Sequence, residues 1–279
     1  MKKNIILMIK GFVFGIANII PGVSGGTLAM TMGIYEDMIN SISHIFSNLK
    51  KNLLFLLPIG VGAVISILLM SKLINRCLEN YPFPTTLFFI GLILGGVPLI
   101  ARKVKDKEKK PVNFLFFLLT FSLVAVMAFM SEGDFSVSLS NPSIFMYFLL
   151  FLVGMVAAAT MVIPGVSGSF VLMLIGFYKP IVKVVSDLTN INHLMNNLLI
   201  LIPFGIGVVV GIILVAKLIE FLLKRFETTT YYAILGFVFA SFIGLVKSIV
   251  GVDITTIQLL IGIVLFLVAS FIGYKLGDE

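Results

Sequence analysis

The stretch Pro21-Gly-Val-Ser-Gly-Gly-Thr27 interrupts an apolar run, and it returns almost letter for letter as Pro164-Gly-Val-Ser-Gly-Ser-Phe170. The surroundings are oily: 59% of the 279 residues are hydrophobic, 12% are charged, and the mean hydropathy is +1.15. In hydrocarbon every freed backbone N–H and C=O costs several kcal/mol unless protein, water or ligand satisfies it. A chain that breaks two apolar runs in the same way must supply partners for both breaks. The pair is therefore a candidate binding site in an all-α polytopic membrane protein.

Ten apolar segments follow from the hydropathy pattern: 4–20, 27–45, 52–73, 84–101, 112–130, 143–163, 169–185, 197–222, 229–249 and 256–276. No polar stretch is long enough for a soluble catalytic domain. The basic N-terminus, Met1-Lys-Lys, leads into a run that carries Lys10, so a retained first segment is expected rather than a cleaved leader. The lone Cys77 and the two histidines, His44 and His193, make neither a disulfide nor a metal centre, and no cofactor is expected.

The halves repeat. Pro21 to Tyr35 matches Pro164 to Tyr178 at an offset of 143. Downstream the offset is 145: Pro58, Gly60 and Gly62 meet Pro203, Gly205 and Gly207, and Lys72 meets Lys217. Apolar composition alone scatters Leu and Ile matches, but it does not align Pro, Gly and Lys. The division is a first repeat over 1–131, a linker over 132–142 and a second repeat over 143–279. Five segments per half bring the second half in from the opposite side, which makes the repeats inverted. With both termini in the cytoplasm, 15 of the 20 basic residues fall on the inner side and Lys72, Arg76, Lys179, Lys183 and Lys247 outside. The net charge of +7 then reflects orientation and contact with anionic lipid, not nucleic acid.

The arms beside the first break are short, ten residues from Gly11 to Ile20 and nine from Thr27 to Tyr35. A crossing needs roughly 20. Re-entrant helical hairpins that meet near mid-membrane are the expectation for both breaks. Each break ends by starting a helix, whose first N–H groups lack intrahelical partners. Pro21, Gly22, Ser24, Gly25, Gly26 and Thr27, with Pro164, Gly165, Ser167, Gly168 and Ser169, then form candidate anion cradles of amides and hydroxyls. A phosphate so held needs no buried lysine. A Gly-rich turn between packed helices is the plainer alternative for a single copy, but a mere turn need not keep Ser24 and Ser167. Lys72 and Lys217 are candidates for headgroup attraction, or simply snorkel. Tyr35 and Tyr178 suit an aromatic belt, Glu36 and Lys179 interfacial solvation, and Gly60, Gly62, Gly205 and Gly207 close helix packing.

Ile20-Pro-Gly-Val-Ser-Gly-Gly-Thr27, its partner Ile163-Pro-Gly-Val-Ser-Gly-Ser169 and the ten-segment layout resemble the bacterial polyprenyl-phosphate transporter family over essentially the whole chain. The resemblance implies translocation of undecaprenyl phosphate from the outer to the inner leaflet of the cytoplasmic membrane, which recycles the lipid carrier of cell-wall synthesis. Its partner would be the polyprenyl-phosphate lipid; oligomeric state has no signature here. Undecaprenyl-pyrophosphate phosphatase is similar in architecture and carries a Pro-Gly-x-Ser-Arg-Ser-x-x-Thr motif with paired glutamates. Here Gly25 or Gly168 stands at the arginine position and Ala29 or Leu172 at the closing threonine, and no apolar segment holds a Glu-x-x-x-Glu pair. Without arginine and acids such a cradle binds but does not hydrolyse. A small-anion carrier is the third reading the residues allow.

Overall fold

Apolar runs punctuated by Gly and Pro become helices of unequal length. The computed structural model describes residues 2–20, 23–108, 110–130, 137–139, 142–187 and 193–278. The helices are α1 (Lys2–Ile19), α2 (Gly25–Thr31), α3 (Tyr35–Ser43), α4 (Leu49–Asn80), α5 (Pro82–Lys105) and α6 (Pro111–Phe129), then α7 (Ile144–Val162), α8 (Gly168–Leu174), α9 (Tyr178–Ser186), α10 (Leu194–Arg225), α11 (Glu227–Lys247) and α12 (Thr256–Asp278). No strand occurs among the described residues. Pro82 and Pro111 open α5 and α6, where a missing N–H is no loss. Ser143 caps α7 by accepting from the Met146 amide at 3.3 Å. Most of the linker, residues 132–136, 140 and 141, lies outside the described residues.

Twelve helices replace ten segments because the second and seventh segments each divide. Gly33 and Gly176 adopt positive φ, 71° and 76°, just past the ends of α2 and α8. Glycine alone enters that region without strain, and α9 leaves α8 at 113°. Helix boundaries follow the repeat register. α2 and α8 begin 143 residues apart, whereas α4 and α10, α5 and α11, and α6 and α12 begin 145 apart.

Seven helices, α4 to α7 and α10 to α12, are long and apolar enough to cross a membrane. α1, with Lys2, Lys3 and Lys10, is not among them. Large apolar side chains stand outward on the long helices, such as Leu68 (74% exposed) and Phe271 (63%), as a lipid-facing surface requires. The interior closes around Leu28, Met32, Phe89, Ile93, Ile100, Tyr231 and Val238, all nearly inaccessible.

Four long pairings organise the bundle: α1 with α4, α7 with α10, α5 with α12 and α6 with α11. The last helix of each half thus packs against a helix of the other half. α6 and α11 run parallel. Thr229 donates to Asn113 (2.7 Å) and Lys107 pairs with Glu227 (3.0 Å) at one end, and Lys247 donates to the Ala128 carbonyl (2.7 Å) at the other. α5 lies alongside α12 in the same sense, with Gly262 beside Leu87 and Arg102 beside Tyr274. Since α5 turns directly into α6, the C-terminal ends of α5 and α12 mark one end of the molecule, and those of α6 and α11 the other.

Glycines set these distances, but not all of them. A Cβ on Gly62 would sit 2.1 Å from the Met8 carbonyl oxygen, and one on Gly207 would sit 2.0 Å from that of Phe151. Gly60 and Gly205 have nothing within 4 Å of that position, so the close-packing expectation fails for this symmetric pair. Two residues along a helix is a rotation of about 200°, which turns them away from the partner. Gly62→Ala and Gly207→Ala are expected to destabilise the solubilised protein by about 1–3 kcal/mol, and Gly60→Ala and Gly205→Ala to leave its thermal melting unchanged within about 1 kcal/mol.

Candidate functional site

The two breaks meet in the middle of the bundle. Thr27, fully buried, accepts a hydrogen bond from the Gly165 amide at 2.6 Å. Ser24 donates to the Ile163 carbonyl (3.4 Å), and the Tyr35 hydroxyl donates to the Val162 carbonyl (3.0 Å). Gly26 lies against the backbone of Val162 and Pro164, where a Cβ would come within 3.1–3.2 Å. The unpaired carbonyls and amide left where α7 ends are therefore satisfied by side chains at and after the first break. Gly165 itself has φ 81° and presses on the Phe237 carbonyl, so neither a side chain nor an ordinary φ fits there. Pro21 and Gly22, also candidate residues, lie outside the described residues.

Tyr35 is consequently not a belt residue. It is 3% exposed, and the buried hydroxyl finds the carbonyl partner that burial demands. Beside it, Glu36 pairs with Lys103 (2.7 Å) and accepts from the Tyr231 hydroxyl, while the Lys103 ammonium also stands 5.6 Å from the Tyr231 ring centre. Simple interfacial solvation does not describe Glu36: it ties α3 to α5 and α11. This cluster occupies the end where α5 and α12 finish, around a small cavity of about 160 Å³ that Met30, Gly33, Leu99 and Gly277 also line. Lys10 is buried nearby and donates to the Met32 carbonyl at 2.9 Å, so it belongs to the interior rather than to a connection.

The second break faces the other way and is open. Gly165, Val166, Ser167 and Phe170 line a cavity of about 350 Å³ that continues past Val124, Met127, Ala128, Ala240, Ser241 and Gly244 to Lys247 and Ser248. Ser167 and Ser169 have their hydroxyl oxygens 3.0 Å apart, both half-buried. The first α8 amide to find an intrahelical partner is that of Val171, which donates to the Ser167 carbonyl at 3.1 Å. Those of Gly168, Ser169 and Phe170 have none among the described residues. Gly168 backs onto Thr160 and the Ala157 carbonyl. The cavity thus has donors at its floor, apolar walls and a cation at its rim.

The two copies of the motif are therefore not equivalent in this conformation. Residues 23–31 are buried throughout, and Ser24 and Thr27 spend their hydroxyls on the other break. The repeat position of Thr27 is Phe170, which can offer no such bond and stands in the cavity wall. Lys72 and Lys217 are exposed on α4 and α10 and line neither cavity. Lys247 and Ser241, which do line the open one, were not singled out as site residues from sequence. The signal was available: Lys247 falls 145 residues after Arg102, in the repeat register.

Comparison with known proteins adds to this geometry. The family model described as VCA0040-like, undecaprenyl phosphate translocase-like, matches residues 14–252. A protein named polyprenyl-phosphate transporter from Staphylococcus aureus is 34% identical over 270 residues, covering 93% of this chain and 94% of that protein. One of the same name from Vibrio cholerae is 31% identical over 244 residues, covering 82% of this chain and 73% of that protein. No solved structure matches the chain.

Replacing Thr27 with Val leaves the Gly165 amide buried without an acceptor. The expected loss is about 1–3 kcal/mol in thermal unfolding, with Thr27→Ser, which keeps the oxygen, close to the parent.

Proposed function

Since the chain belongs to the undecaprenyl phosphate translocase-like family, we propose that it is a membrane transporter that moves polyprenyl phosphate from the outer to the inner leaflet of a bacterial cytoplasmic membrane. The observation that carries this is the cavity at the second break. Its floor offers an anion the Ser167 hydroxyl, with that of Ser169 3.0 Å behind it, and its walls, Val124, Met127 and Phe170, suit an isoprenoid. A lipid phosphate has both halves of that chemistry.

In this proposal the halves are inverted repeats over 1–131 and 143–279, joined by 132–142, and the short α1 to α3 arms form a re-entrant hairpin. Both termini are cytoplasmic, so the open cavity faces outward and the Glu36, Lys103 and Tyr231 cluster closes the inward path. The headgroup enters at Gly165, Ser167, Gly168 and Ser169. It then exchanges onto Pro21, Gly22, Ser24, Gly25, Gly26 and Thr27 when the bonds between the breaks release. Neutral donors bind a phosphate without the desolvation of a buried lysine, which permits release on the far side.

Transport rather than hydrolysis is supported by the lining of the cavity. Among the described residues neither a carboxylate nor a histidine borders it, whereas hydrolysis needs a base or nucleophile in reach of phosphorus. The test is a proteoliposome assay with labelled polyprenyl phosphate in the outer leaflet. Ser167→Ala with Ser169→Ala is expected to lower the translocation rate at least about tenfold, with insertion unchanged. A rate equal to the parent's, or phosphate released from a pyrophosphate lipid by the purified protein, would overturn the reading.

A further inference from the structure

Lys247 stands in the last turn of α11, exposed at the rim of the cavity whose floor is Ser167. Its ammonium donates to the Ala128 carbonyl at 2.7 Å and lies 5.5 Å from the centre of the Phe129 ring. Neither partner carries a charge. Lys103, Lys107, Lys110 and Lys224 each pair with a glutamate, but Lys247 has no carboxylate partner among the described residues. One of its three N–H donors is used by Ala128, which leaves two for a ligand.

The repeat singles out the same arrangement. Arg102, in the last turn of α5, lies 5.9 Å from the centre of the Tyr274 ring, and Tyr274 follows Phe129 by the same 145 residues that separate Lys247 from Arg102. A cation seated on an aromatic ring of the neighbouring helix is thus present twice, at opposite ends of the molecule. A snorkelling lysine needs only length and water; it needs no ring at a matched position, and Lys72 and Lys217 show the unheld alternative.

From this placement we infer that Lys247 is a headgroup-binding residue, the cation that receives the phosphate of an isoprenoid lipid at the mouth of the second-break cavity before the neutral donors of Ser167 and Ser169 take it over. The inference rests on the transport reading above and adds a residue that reading does not need. Contact with a ring at an exposed site is weak, so an arriving phosphate displaces it readily. The charge remains at the surface, where it is solvated when the site is empty.

Two measurements on the full chain test it. One is the apparent KM for labelled polyprenyl phosphate in proteoliposomes, and the other is thermal stabilisation of the solubilised protein by a short isoprenyl monophosphate. Lys247→Gln is expected to raise the KM about tenfold with the maximal rate little changed, and to lose the stabilisation; Lys247→Arg is expected within about twofold of the parent. Lys247→Met, which keeps the stem against Phe129, should behave as Lys247→Gln and serves in its place if that variant inserts poorly. A parental KM and stabilisation in both neutral variants overturns the role, as does a lowered maximal rate at unchanged KM. Equal stabilisation by inorganic phosphate overturns the lipid assignment. If the parent itself neither moves the lipid nor is stabilised, the transport reading fails; if only the variants match the parent, the inference alone fails.

Discussion

A broken helix in a low-dielectric interior must find partners for the backbone groups that the break sets free. Here the breaks answer one another. Thr27 accepts from Gly165, Ser24 donates to Ile163, and Tyr35 donates to Val162, so three contacts between residues more than 120 positions apart satisfy the end of α7. The packing of α2 against this end, the glycine at position 26 and the burial of Tyr35 all follow from that requirement. It also means the breaks cannot part without new partners for the same groups.

That dependence gives the transport proposal a physical form. In that proposal a phosphate arriving at the second break offers oxygens to the Gly165 amide and the Ser24 hydroxyl, which otherwise bond the Thr27 hydroxyl and the Ile163 carbonyl, and so competes for the bonds that hold the first break shut. The closed end is more heavily tied than the open one. Glu36, Lys103 and Tyr231 have Lys179, Ser248 and Thr86 as their repeat positions, which cannot rebuild the same cluster. The asymmetry is thus written in side chains and is not only a matter of conformation.

Much of the architecture was legible from composition and punctuation. Apolar runs set the membrane class, and aligned Pro, Gly and Lys set a register that the helix boundaries follow through α12. The division of segments two and seven was less visible: each hinges on one glycine, Gly33 or Gly176, with positive φ, and glycine is common enough in such helices that its conformation cannot be read from its presence. For the candidate site, Ser24 and Thr27 reach Ile163 and Gly165 of the second break, but Tyr35 and Glu36 were misread because hydropathy assigns a residue a depth and says nothing of the direction in which it points.

Taken alone, the sequence determined what is local or periodic: the helical membrane class, the twice-occurring motif and its register, the breaks, and the excess of neutral donors over charges within them. Only the tertiary structure decided which break is open, that Gly62 packs while Gly60 does not, and that Lys247 rather than Lys72 stands at a cavity. These depend on how one helix is rotated against the neighbours it packs on. A rotation of that kind is fixed by the fit between distant surfaces, and no window along the chain contains both of them.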